Sequence, residues 1–392
     1  MKMIRKIVII QIIFLCLCGL LSCRHSASHK INKITYEDYE SLAEELNCIV
    51  IQSDEPFDLL FYDDYYDNNM REVIIKKAWD GELYYSIDKK NWNEWDGSKI
   101  HSSENNTVFL RGTNNSYISK DFSIDYNYLD WFVMYTSRFF FTGVGFANVY
   151  GNIETLLDYK KVKNGIHPQM AEYCFKGLFY GWRTLKKAPV LGAATLSSNC
   201  YNYMFQNCKS LEIPPELPAM NLASYCYNGM FYGCDNLKTA PSLPAVTLSE
   251  YCYRNMFGEC FRLEVFPQLP AQKLEAGCYS WMFSGCDKLT QMIELPLQEL
   301  AEYCYAGMFS DCKNLKKVSA LPATQLAESC YGSMFSGCIS LVSAPTLSAT
   351  QLAGSCYSHM FSGCISLVSA PALPATQLYS MCCRSARFHR TR

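Results

Sequence analysis

Residues 222–247, LASYCYNGMFYGCDNLKTAPSLPAVT, are one period of a pattern that fills more than half of the chain. A cysteine followed by an aromatic residue stands at Cys174, Cys200, Cys226, Cys252, Cys278, Cys304, Cys330 and Cys356, with a constant period of 26. Cys382 falls on the same register. A second cysteine follows eight residues later, at Cys208, Cys234, Cys260, Cys286, Cys312, Cys338 and Cys364, with Trp182 at that place in the first copy. Eight copies without an insertion exclude chance and specify a solenoid, in which each unit buries its apolar face against the next.

The two halves of the unit differ in period. Leu196, Cys200, Met204 and Cys208 are four apart, and Tyr201 and Phe205 each follow one of them. At 100° per residue these six share one half of a helical wheel, so the spacing predicts an amphipathic helix of about three turns in each copy. The residue before the second cysteine is Gly181, Asn207, Gly233, Glu259, Gly285, Asp311, Gly337 or Gly363, mostly types that tolerate a left-handed backbone and stop a helix. The other half reads as extended chain. Leu237, Ala240 and Leu243 are three apart, with Pro241 and Pro244 among them. Proline cannot donate to a ladder, so a strand of two to four residues is expected before the first proline and coil after it. Strands stack about 4.8 Å apart and helices about 8–10 Å. The expected fold is therefore an α/β leucine-rich-repeat-like solenoid, with helices on the convex side and short parallel strands on the concave side.

The motif M-F-x-G-C-x-x-L followed by L-P, as at 230–244, resembles the BspA-type leucine-rich repeats of surface lipoproteins of Bacteroidota. The resemblance covers residues 150 to 382. It departs from the commonest form of that repeat, which is shorter and has Ala-Phe where Met-Phe stands here. What it implies is adhesion or ligand binding at the cell surface.

The chain has 21 cysteines. On a helix Cys226 and Cys234 would sit about 12 Å apart, beyond the reach of a disulfide. Equivalent cysteines of neighbouring copies could approach, but a ladder of like positions offers no unique pairing. Cysteine is read here as a small apolar core residue. Zinc-ligand spacing is missing, and no metal or cofactor is expected.

The N-terminus has the three parts of an export signal. Lys2, Arg5 and Lys6 precede the apolar run Ile7 to Leu21, and Leu20-Leu21-Ser22-Cys23 matches a lipobox. Residues 1–22 are thus expected to be a signal peptide and Cys23 to be acylated, followed by a polar tether to residue 30. Diacylglycerol on sulfur with a further acyl chain on nitrogen would anchor firmly. The expected location is the bacterial outer membrane, at the cell surface or on its periplasmic side. The net charge is −2, and the first 22 residues hold three bases and no acid, so the remainder stands at −5. That balance argues against a nucleic-acid partner.

Residues 35–47 suggest a short acidic helix. From Cys48 to Tyr150 the runs CIVIQ, DLLFY, EVIIKKAW, ELYYSI, TVFLRG and FVMYTSRFFF alternate with turn-rich breaks. Residues 31–150 are expected to form a small all-β, immunoglobulin-like sandwich, with a hairpin at YSIDKKNWNEWDG. Residues 151–170 read as an N-terminal cap, 171–382 as the array and 383–392 as a basic tail out of register. Trp92, Trp95, Tyr62, Tyr65 and Tyr66 could stack on sugars, but core and strand-edge roles suit them better. Asp63, Asp64, Asp67 and Asn69 lack the spacing of a calcium loop. After Cys382 the register asks for Met at 386 and Phe at 387, where Ala386 and Arg387 stand. With SGCISLVSAP duplicated at 336–345 and 362–371, this suggests a frameshift or truncation within a longer array.

None of the six histidines stands in a catalytic motif, and no phosphate-binding loop appears. The expectation is a protein without catalysis that binds a macromolecular ligand, protein or glycan, and meets the membrane through its lipid. The variable positions just before the first proline are the candidate contacts: Lys186, Lys187, Glu212, Lys238, Thr239, Glu264, Gln291, Lys316 and Lys317. Ligand preference and a drifting solvated face explain their variation equally well. The rival reading gives glycan binding to the β-region, with the repeats as a stalk.

Overall fold

The computed structural model describes residues 36–62, 79–119, 138–293, 295 and 299–375. The export signal, Cys23, the tether, Tyr65, Tyr66, Asp63, Asp64, Asp67, Asn69, Cys382 and the basic tail lie outside them. Two compact units are distinguished, residues 1–38 and 39–392. Of the first, residues 36–38 alone are described, as the start of helix α1 (Tyr36–Leu46).

The β-region holds β1 (Ile49–Ser53), β2 (Asp58–Tyr62), β3 (Glu82–Ser86), β4 (Asn93–Glu94), β5 (Ile100–His101), β6 (Thr107–Thr113), β7 (Arg138–Phe141) and β8 (Ala147–Tyr150). The expected hairpin is β3–β4, in which Tyr84 faces Glu94. Its turn closes where the Asp88 carboxylate accepts the amides of Lys90 and Asn91 at 3.0 and 2.8 Å. Those bonds hold the Asp88 carboxyl below the usual carboxylate range. One sheet runs β5-β2-β7, and the other β4-β3-β6-β1-β8 and then one strand more. That added strand is β9 (Leu185–Lys187), which comes from the first copy of the repeat and pairs parallel with β8. Ile49, Ile51, Leu59, Phe61, Trp95, Phe139 and Val149 bury in the same core that continues through the repeats to Cys364. β1 is buried on both faces, and α1 packs at the end of the neighbouring strand β8. There Tyr39 stacks on Tyr150 with ring centroids 5.4 Å apart.

Helix α2 (Thr155–Lys163), kinked at Asp158, lies where the cap was expected. Its buried start is fastened by the Asn115 side chain, which donates to the Leu156 carbonyl at 2.9 Å.

Beyond β9 the repeats differ from the expectation. The apolar row is not helical: residues 198–207 form consecutive turns, as do their equivalents in every copy. Each fourth residue is left-handed, with φ of 58° at Asn199, 56° at Tyr203 and 60° at Asn207. The amides alternate in destination. Those of Cys200, Asn202, Met204 and Gln206 close turns onto carbonyls three residues back, at 3.1–3.2 Å. Those of Asn199, Tyr201, Tyr203, Phe205 and Asn207 instead reach carbonyls of the next copy, at 2.7–3.0 Å.

The physical reason lies in the spacing. Four residues rotate an α-helix by about 400°, so an apolar row repeated every fourth residue drifts round its surface. A four-residue turn keeps Cys200, Met204 and Cys208 in line, and all three are fully buried. An α-helix would also satisfy its amides internally and hold copies about 8–10 Å apart. Here the copies close up. The phenylalanines from Phe179 to Phe361 stack at 5.3–6.1 Å, nearly parallel. The tyrosines from Tyr201 to Tyr357 do so at 5.9–6.0 Å. The turn flank therefore stacks well inside helix–helix spacing. The mismatch that predicted convex helices and a concave strand face does not arise. The extended half agrees better with expectation. β9 has three residues, and later copies keep single parallel bridges such as Thr239 to Val265 and Gln291 to Lys317.

The geometric reason given for excluding disulfides assumed a helix and falls with it. Among the described residues sixteen cysteines are nevertheless free thiols, all buried. The second cysteine of each copy has a defined bond. Cys208 donates its S–H to the Phe179 carbonyl of the copy before at 3.1 Å, and Cys234, Cys260, Cys286, Cys312, Cys338 and Cys364 repeat this at 3.0–3.2 Å. A thiol here is small enough to bury and still satisfies a carbonyl. Burial pushes the Cys278 and Cys330 thiols up to about 12, because a thiolate would lose its hydration.

Candidate binding surface

The nine candidate contacts lie along the bridge ladder just before the first proline. Glu212, Lys238, Thr239, Glu264, Gln291, Lys316 and Lys317 are exposed. Their backbones are tied. The amides of Glu264 and Val265 both donate to the Lys238 carbonyl, at 2.9 and 3.0 Å, and Ala240 returns a bond to Val265 at 3.0 Å. The side chains are thus carried on a fixed frame and project outward.

Lys186 and Lys187, at the start of this ladder, are tied to the β-region. Lys187 Nζ sits 2.5 Å from a Glu40 carboxylate oxygen and 4.4 Å from the centre of the Tyr150 ring. Lys186 Nζ lies 4.0 Å over the Phe146 ring. Both are half-buried and join the first copy to the β-region.

Along the ladder one position reads Lys186, Glu212, Lys238, Glu264, Thr290, Lys316, Val342 and Val368. Alternating charge suits side chains stacked on neighbouring rungs, where like charges would repel. The same ladder carries Ile213, Val265, Val342 and Val368, which are 47%, 55%, 51% and 80% exposed. These apolar positions are not among the candidate contacts that the sequence suggested. Isolated exposed β-branched residues are ordinary. Four on one ladder make a mixed surface, charged towards the β-region and apolar in the last two copies.

Two further rows escaped the sequence reading, one with Tyr203 and Trp281 and one, four residues earlier in the unit, with Tyr225 and Tyr251. Tyr203, Tyr251 and Trp281 point out of the turn flank and lie over the next copy. A Cβ on Gly229, Gly277 or Gly307 would come within 2.4 Å of the respective ring. The signal was present: at each of these left-handed positions a large residue is followed by glycine at the same place in the next copy. Tyr225 stacks on Tyr251 at 4.8 Å in the second of these rows.

Two of the residues considered for sugar stacking, Trp95 and Trp92, are engaged within the protein. Trp95 is buried among Trp79, Phe61 and Phe139, and its indole N–H donates to the Ser98 carbonyl at 2.7 Å. Trp92 has the Arg111 guanidinium 3.7 Å over its ring, and Tyr159 takes the other face at 4.2 Å. At the cap, Glu154 is fully buried, and its two oxygens meet His167 Nδ1 at 3.0 and 2.9 Å beside a cavity of about 380 Å³. Among the described residues no cluster of three or more His, Cys, Asp or Glu could hold a metal, and no helix is long and apolar enough to cross a membrane.

Residues 162–290 and 256–368, more than half of the chain, match the family described as BspA type leucine rich repeat region, in six copies. The chain belongs to that family. No curated protein and no solved structure is detectably similar to it. For this BspA-type chain, membership accounts for the frame: a solenoid-like repeat whose buried positions recur while one ladder of outward positions varies.

Proposed function

We propose that this chain is a binding protein of the bacterial cell envelope, without catalysis, held by a lipid on Cys23 and presenting the repeat ladder to a macromolecular ligand. BspA-type repeats are commonly found in surface and adhesion proteins, which supports this reading. One observation carries it. The bridged position recurs in every copy, joined in the pairs Lys187–Ile213, Thr239–Val265, Gln291–Lys317 and Ser343–Ser369, while the exposed side chains there change in charge, size and polarity, with Ile213, Val265, Val342 and Val368 left open to solvent. A surface that served only solubility would gain nothing from exposed β-branched residues recurring along one ladder.

The test is a panel of matrix proteins and glycans presented to the full chain. The β-region and the array share a sheet through β9, so cutting between them would damage both. Variants on the face replace truncation. Val265→Asp with Val342→Asp should lower binding of any captured ligand at least tenfold and leave the melting temperature nearly unchanged. Binding that survives both changes moves the contact off this ladder. The anchor is tested separately. Cys23→Ala should leave an uncleaved precursor and abolish partition into detergent, and normal partition would remove the lipid from this reading.

A further inference from the structure

The seventh and eighth copies differ from the first six where the turn flank runs into the ladder. Five residues follow the second cysteine position of each copy, 209–213 in the second copy and 313–317 in the sixth. In each of the first six copies two or three of these five are charged. Some of the charges pair between rungs, as Lys209 does with Asp235 at 3.1 Å. The seventh and eighth copies carry I-S-L-V-S instead, at 339–343 and again at 365–369. No Asp, Glu, Lys or Arg stands between Glu328 and Arg384. The frame does not demand this change. The inward leucine of the five is fully buried in both settings, as Leu211 and Leu341 show.

Ile339, Ile365, Val342 and Val368 are 40%, 72%, 51% and 80% exposed. Their rungs are adjacent. The Val368 amide donates to the Val342 carbonyl at 3.1 Å, and Ser343 bridges Ser369. Two isoleucines and two valines therefore face water on neighbouring rungs with no charge among them, the mark of a protein contact. The duplication points to the partner. In a twofold contact residue i meets j and j meets i, so the patch must be complementary to itself. With the axis between the two rungs, the seventh copy of one chain lies on the eighth copy of the other. Because the rungs are identical, isoleucine then meets isoleucine and valine meets valine. Like pairs gain from burial when apolar and repel when charged, and these are the rungs from which charge is gone. A membrane surface would instead be met by basic and aromatic residues, which the patch lacks.

We propose that this patch binds a second copy of the chain, the two packing antiparallel through Ile339, Val342, Ile365 and Val368. The contact takes Val342 and Val368 from the ladder offered to a ligand and leaves the charged rungs to that role. It is read without any ligand, so it would stand if the ligand reading failed.

The experiment is sedimentation velocity of the full chain from about 1 to 100 μM, a range suited to a small contact. The mean mass should rise towards twice that of the monomer and stop there. Ile365→Asp with Val368→Asp changes the two most exposed of the four positions. It should weaken association at least tenfold and melt within a few degrees of the parent. Chains with Ser343→Cys and chains with Ser369→Cys should cross-link on mild oxidation when mixed. Either alone should do so at least tenfold more slowly, with the parent chain as background. A parent that stays monomeric overturns the proposal and leaves the patch to a different partner. So does a double variant that associates as strongly as the parent. Growth past the dimer overturns it too, because a twofold contact closes. Equal cross-linking of each cysteine variant with itself rules out the antiparallel pairing.

Discussion

The two flanks of the repeat solve the same stacking problem with different materials. On the turn flank every second amide crosses to the next copy, and tyrosine, phenylalanine, methionine and cysteine fill the space behind it completely. On the proline flank only single bridges cross, and the side chains between them face water. The turn flank can vary little, because each side chain is packed by the same residue of the copies on either side. The proline flank varies freely, because its side chains meet solvent. Stability and recognition are thereby separated within one repeat unit.

Raising the pH strikes the turn flank first. The Cys278 and Cys330 thiols are raised from 9.0 to about 12. The unfolded chain then ionises its cysteines first, so stability is whole below pH 9 and is lost as the pH climbs from 9 towards 12. Each thiol contributes about 1.4 kcal/mol per pH unit in that window. With a row of such thiols, denaturant midpoints should fall steeply between pH 9 and 11. A midpoint that holds to pH 11 would mean the thiols are not sealed from water.

Phe283→Ala removes one ring from the middle of the stack and should cost about 3–5 kcal/mol in equilibrium unfolding. Gly307→Ala sets a methyl at φ +61° and within 2.4–2.6 Å of Trp281 atoms, so about 1–3 kcal/mol should be lost. The double variant with Trp281→Ala should recover the steric part of that loss and leave the backbone part. No recovery would show that the ring does not rest on the glycine. On the other flank Lys316→Ala should change stability by about 0.5 kcal/mol or less. A cost there matching that of Phe283→Ala would end the division between the flanks.

Much of this was legible in the residues. The period of 26, the inward row Cys200, Tyr201, Met204, Phe205 and Cys208, and the outward pairs such as Lys238-Thr239 were read from spacing, and each lies on the side expected. The β3–β4 hairpin and strands β1, β2, β3 and β6 also fell where alternation placed them. The helix did not, although its apolar face was right. A row repeated every fourth residue is compatible with a helix and with a chain of left-handed turns, because both bring residues four apart onto one side.

The sequence by itself determined which residues face inward, how often the unit recurs, and which ladder is free to vary. These follow from local apolar spacing and from identity between copies. Only the tertiary structure decided the backbone of the turn row, the ties of Lys186 and Lys187 to the β-region, and the unpartnered indole of Trp182. Each of those depends on a partner far along the chain: the Cys226 carbonyl that accepts the Tyr201 amide, Glu40 for Lys187, and for Trp182 a preceding copy that does not exist. Spacing within one unit shows which side a residue takes. Where its hydrogen bonds end is settled by what stacks against it.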